Sequence, residues 1–243
     1  MAQVWLRIIN PPLLAASLLT YALGAGIADY LGYSPDGWVY AFGQVIVLLI
    51  LISSRILFEY YELLKHGAQP FSSRKNGSRV DTPSPQVLLI VAVILIAFTI
   101  ALGYTLSRSV TSVGLIFFQL ALLILLSIAF IGQPWLAFSG YGELVQALII
   151  CSLVPTFAFS IQFEGLHQLL LYATFPLIFI FLAVRFAMEL ESYAGDLKSG
   201  RGSLLIRLGW QRGVLFHHIL LITAYLLMSA ASLFGLAWRL VWP

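Results

Sequence analysis

The sequence predicts an all-α integral membrane protein, one domain of about seven transmembrane helices covering residues 1–243. Three observations lead there. The chain is 60% hydrophobic and only 9% charged, whereas a soluble domain carries about 25% charged residues. Its apolar residues fall into seven long runs, each near the roughly 20 residues that cross the hydrocarbon core. Those runs are continuous rather than alternating, which excludes barrel strands.

The spans are read at about 6–28, 38–63, 86–107, 111–131, 143–163, 167–190 and 213–239. The first carries Arg7 ahead of an apolar stretch with a small-residue end, as a secretory signal does. It is long enough to span and is read as a helix that stays. Pro11 and Pro12 fall in this span, Pro155 in the fifth and Pro176 in the sixth. Packed membrane helices tolerate such breaks where neighbours satisfy the freed backbone groups.

The basic residues orient the bundle. Arg7, Arg55, Lys65, Arg74, Lys75, Arg79, Arg185, Lys198, Arg201, Arg207 and Arg212 fall on one side, against Arg108 and Arg239 on the other. By the positive-inside rule the first set is cytoplasmic. The expected location is the cytoplasmic (inner) membrane, with cytoplasmic loops at about 65–85 and 191–212. The formal net charge of +3 is therefore topogenic and does not indicate a nucleic-acid partner. Cys151, the single cysteine, lies inside an apolar run and reads as a small buried hydrophobe. No cysteine–histidine cluster suggests zinc, haem or iron–sulfur ligation.

Two polar clusters interrupt this pattern on the same side. "FEYYELLKHG" (Phe58 to Gly67) places Glu59, Glu62 and His66 at i, i+3 and i+7, one face of a helix. "ELESYAGDLKSGRG" supplies Glu189, Glu191 and Asp196. Hard carboxylate oxygens facing each other across a bundle suit Mg²⁺ shared with a diphosphate, and nearby cations would neutralise the remaining charge. The alternative is an interfacial edge, in which Tyr60, Tyr61 and Tyr193 belong to an aromatic belt. His217 and His218 read as cytoplasmic interface residues, and Glu164 and His167 as a solvated outer loop. No charge falls at mid-helix depth to mark a transport pathway.

Four stretches, in order along the chain, resemble the UbiA superfamily of membrane prenyltransferases, in its 1,4-dihydroxy-2-naphthoate polyprenyltransferase branch. They are "RIINPPLLAASLLTYALGAGIA", "GSRVDTPSPQVL", "GQPWLAFSGYGELVQALI" and "ELESYAGDLKSGRGSLLIRLG". In the last, Glu189, Tyr193, Asp196, Gly200, Leu204, Arg207, Leu208 and Gly209 fall on matching positions. The first acidic motif departs from the family's N-D-x-x-D-x-x-x-D: Phe58 replaces Asn, Glu59 and Glu62 replace Asp, and His66 replaces the last Asp. In the second motif Ser192 replaces one Asp while Asp196 keeps the other, and Glu191 stands beside Ser192. The family bundle has nine helices, so the expected architecture is UbiA-like without the last two.

The resemblance implies a prenyltransferase that joins the isoprenyl chain of a polyprenyl diphosphate to an aromatic quinone precursor of the menaquinone type. Glu59, Glu62 and Asp196, with Glu191 as a possible fourth, would then hold Mg²⁺. Lys65, Arg79, Lys198 and Arg201 would meet the diphosphate. The rewritten motif leaves an alternative from another class. The chain is then a non-catalytic subunit of the same fold that binds lipid, quinone or pigment and scaffolds a larger membrane complex.

Overall fold

The computed structural model describes residues 8–66, 84–110, 112–133, 141–163, 165–198 and 204–233. Among them there are helices and no strand, and seven helices are long and apolar enough to cross a membrane. In chain order they are α1 (Pro11–Tyr30), α2 (Gly37–His66), α3 (Pro85–Ser107), α4 (Val113–Phe130), α5 (Gly142–Phe163), α6 (Gln168–Lys198) and α8 (Trp210–Leu233). A short α7 (Leu204–Leu208) precedes the last. The all-α membrane bundle is as expected.

Local chemistry sets the helix ends. Pro11 and Pro12 begin α1 after Asn10, whose φ is 56°. The expected break falls at Asn10, between helical Ile8–Ile9 and α1, and α1 restarts on the prolines because proline at the first positions gives up an N–H that has no partner there anyway. At the other end of α1, Gly32 adopts φ 91°. Tyr33 N donates to the Ala28 carbonyl at 3.1 Å and Gly32 N to the Asp29 carbonyl at 2.9 Å, the Schellman pattern that satisfies the last carbonyls. Asp36 Oδ1 caps α2 by accepting from Trp38 N at 2.8 Å. Ser84 Oγ caps α3 from Val87 N at 3.4 Å. His167 does the same for α6, its Nδ1 accepting from Leu169 N at 3.2 Å.

α5 is the central helix, packed against α1, α2, α4 and α6, while α3 lies outside α2 and α8 outside α6. In its most apolar stretch 67% of α5 is buried, against 17% of α8, so α8 lies at the edge of the described bundle. Ile149, Ile150, Val154, Phe157 and Phe159 of α5 are fully buried. A π-helical turn, Ile149–Leu153, interrupts α5 just before Pro155. Pro155 lacks the N–H that would bond the Cys151 carbonyl, and its ring would press on that oxygen in a regular helix. The widened turn relieves both. α1 crosses α5 closely at this point: a Cβ on Gly24 would fall on the Pro155 carbonyl oxygen and 2.8 Å from its Cα. Small residues at membrane-helix crossings permit this backbone approach.

Two boundaries near the connection from α6 to α8 differ from the sequence reading. α6 runs on to Lys198 rather than ending near residue 190, and α8 begins at Trp210 rather than 213. The segment read as a loop over 191–212 is therefore largely helical in its described part. Polar residues after residue 190 ended the apolar run, but they did not end the helix, which continues past the membrane surface. Of the loop read at 65–85, residues 67–83 lie outside the described residues.

Candidate functional site

The end of α2, the start of α5 and the later part of α6 carry a cluster of charged groups. On α2, Glu59 and Glu62 are 1% and 6% exposed. Their i, i+3 spacing puts them on one face, and α2 remains helical through His66, as the spacing requires. Phe58 is buried. The Arg55 guanidinium lies 4.5 Å from its ring centroid, a cation–π contact one turn apart. Arg55 also donates from Nε to the Ile8 carbonyl at 3.4 Å and lies within electrostatic reach of Glu59 and Arg185.

α5 contributes Glu143 in its first turn, 2% exposed. Both of its carboxylate oxygens accept from Leu204 N, at 3.4 and 3.3 Å. Across the α5–α6 seam Glu143 faces Glu189 and Arg185. Arg185 and Glu189, one turn apart on α6, approach to 3.6 Å, and the Arg185 Nε is buried without a hydrogen-bond partner. Two arginines thus stand among Glu59, Glu143 and Glu189, with the Arg185 Nε donor unused.

Arg185 also borders a second feature. A groove of about 540 Å³ runs between α1 and α6, lined by residues such as Asn10, Leu13, Cys151, Phe181, Arg185 and Met188. Leu19 and Val184 on its rims are exposed, so the groove opens on the outer face of the bundle. From Leu177 to Met188 along α6 it spans about 16 Å at the helical rise of 1.5 Å per residue, roughly half the hydrocarbon thickness. Its walls are apolar apart from Thr20 and, at one end, Asn10 and Arg185. Cys151, buried as expected, sits on this wall at the π-helical turn, a feature often found at functional sites.

The sequence-derived candidates fall into three groups. Glu59, Glu62 and Phe58 are placed in or beside the cluster. Lys65 and His66 end α2, and Glu191, Ser192, Asp196 and Lys198 lie on the last turns of α6; their side chains are outside the described part. Arg79 and Arg201 lie outside the described residues altogether. Among the described residues no three Asp, Glu, His or Cys side chains converge as a metal site.

In the sequence Arg55 and Arg185 read only as orienting cations, and Glu143 does not stand out. The arginine–glutamate pairs at i, i+4, Arg55 with Glu59 and Arg185 with Glu189, were the available signal. His217, read as interfacial, lies about 10 Å along α8 from Trp210 at the helical rise, and its Nδ1 is 2.9 Å from the Ala183 carbonyl of α6. Comparison of the chain with protein-family models and with curated proteins finds no match.

Proposed function

We propose that the chain is a UbiA-like membrane prenyltransferase, transferring an isoprenyl chain from a polyprenyl diphosphate to an aromatic quinone precursor of the menaquinone type. The observation that carries this reading is the position of Arg185, where an apolar groove open to lipid meets a buried cluster of carboxylates and arginines. A polyprenyl diphosphate has the same two-part character, a long apolar chain on a highly charged head.

In this reading the chain lies between α1 and α6 while the diphosphate takes a hydrogen bond from the unused Arg185 Nε. Glu59 and Glu62, hard oxygen donors one turn apart on α2, have the chemistry Mg²⁺ requires, and they would hold it with Asp196 of α6. Bound there, Mg²⁺ supplies charge neutralisation for the departing diphosphate. The allylic C–O bond breaks with its electron pair leaving on the diphosphate. The aromatic carbon then attacks the allylic cation and loses its proton. The groove walls keep water from the cation, and the preorganised arginines stabilise negative charge as it develops. By the resemblance, Lys65, Arg79, Lys198 and Arg201 add to that stabilisation from the cytoplasmic side.

A second reading, a non-catalytic subunit that binds an isoprenoid lipid or quinone, draws on Phe58. Where the family carries a polar asparagine, this chain has a buried ring packed under Arg55, so that position serves packing. Purified protein in lipid nanodiscs, supplied with Mg²⁺, 1,4-dihydroxy-2-naphthoate and polyprenyl diphosphates of several lengths, separates the two. Prenylated product supports the enzyme, and binding without product supports the second reading. Neither turnover nor binding at any chain length refutes both.

A further inference from the structure

α7 is five residues long, far too short to hold a helical form alone. It packs against α6 and α8, and three specific contacts stand out. Leu205 is fully buried and occupies the space left by Gly213 of α8, where an added Cβ would overlap its Cδ1. Gly209, at φ 79°, turns the chain out of α7 and donates from its N–H to the Leu205 carbonyl at 2.9 Å. The first N–H of α7, that of Leu204, is shared between the two oxygens of Glu143. The first two contacts join α7 to itself and to α8. The third ties it to the central helix α5.

Glu143 is a costly residue to bury so deeply unless its carboxylate is used. The same carboxylate faces Arg185 and Glu189 on α6, the helix that continues through Asp196 and Lys198. One side chain therefore touches both the candidate site and the start of α7. We propose that Glu143 is a positioning residue: it fixes α7 against α5 and so sets how the end of α6 and the connection to α8 stand relative to the Arg185 site. The inference deepens the proposed function without depending on turnover, because its first readout is the order of α7 itself.

The test uses the full chain in nanodiscs, with hydrogen exchange at the amides of Leu205 to Leu208 as the primary measurement. Glu143→Ala removes the acceptor and is expected to speed exchange there severalfold to about tenfold, as loss of a buried hydrogen bond implies. Glu143→Gln keeps one acceptor oxygen and should stay within about threefold of the unmodified chain. Leu204→Pro removes the donor instead, at the first helical position where proline is tolerated. It leaves the carboxylate intact and should match Glu143→Ala. The double variant should show no further change.

Binding of a short polyprenyl diphosphate with Mg²⁺ gives a second arm. A positioning role predicts that Glu143→Ala and Leu204→Pro weaken it equally, by about tenfold. A direct role for the carboxylate on the ligand predicts that Leu204→Pro has no effect, which overturns the proposal. Unchanged α7 exchange in Glu143→Ala overturns it as well. If the unmodified chain binds no diphosphate, the proposed function falls, while the exchange arm still decides the role of Glu143.

Discussion

Replacing Arg185 by glutamine removes the cation at the junction of groove and carboxylates while keeping a polar side chain of moderate length. The substitution also costs stability. Arg185 and Glu189 are one turn apart at 3.6 Å with side chains 28% and 13% exposed, and Arg185 also faces the buried Glu143. An exposed helical pair contributes about 0.3–0.5 kcal/mol, and leaving carboxylates inside the bundle without their cation adds to that, so Tm is measured beside binding. The cost to binding is read on the folded variant. In a bilayer the isoprenyl chain gains little by leaving lipid for the groove, because lipid tails are as apolar as its walls. Selective affinity then rests on the head, where a hydrogen bond to a charged group contributes about 1.5–3 kcal/mol.

The expected weakening of geranylgeranyl diphosphate binding is thus about tenfold to about 150-fold. The assay is a binding titration on protein in nanodiscs at fixed salt, with Leu177→Ala in the groove as the comparison. That apolar truncation should change Kd by less than about threefold. Unchanged binding in Arg185→Gln together with a tenfold loss in Leu177→Ala would show that the groove, not the cation, selects the ligand, and the reasoning would fail.

Other outcomes follow from packing and placement. Gly24→Ala drives a Cβ into the Pro155 backbone, which cannot move aside as a side chain would. It should destabilise the bundle by about 1–3 kcal/mol, read as a lower Tm in mild detergent. Tyr21→Phe deletes the hydroxyl that donates to the Tyr40 carbonyl at 3.0 Å; a loss of about 1 kcal/mol is expected in the same assay, and an unchanged Tm would deny that bond any weight. Cys151, buried in the bundle, should stay unlabelled by a membrane-impermeant maleimide, which makes it a silent background for orientation. Against it, Tyr33→Cys should label in intact spheroplasts and Arg212→Cys only after permeabilisation; the reverse pattern would invert the orientation drawn from the basic residues.

Residues adjacent in sequence, and the solvent around them, were enough to determine the spans. A helix that crosses a bilayer satisfies its backbone internally and needs about 20 apolar residues, so seven apolar runs translate directly into seven helices. The shared face of Glu59 and Glu62 was legible for the same reason, since helical spacing is a local property. The end of α6 was not. Its last turns are polar, and hydropathy reports where the lipid ends rather than where hydrogen bonding stops.

The site itself required the tertiary structure. Arg185 reads in sequence as one more topogenic cation, and only the gap between α1 and α6 makes it the polar end of a groove. Glu143 reads as an ordinary acidic residue in the first turn of a helix. Its burial, and its grip on Leu204 sixty-one residues away, follow from the way α5 threads the middle of the bundle. Phe58 reads as a lost polar ligand, yet it is packed beneath Arg55. In each case the identity of the neighbour decides the role, and neighbours drawn from different helices are set by how the bundle packs, which no single stretch of sequence encodes.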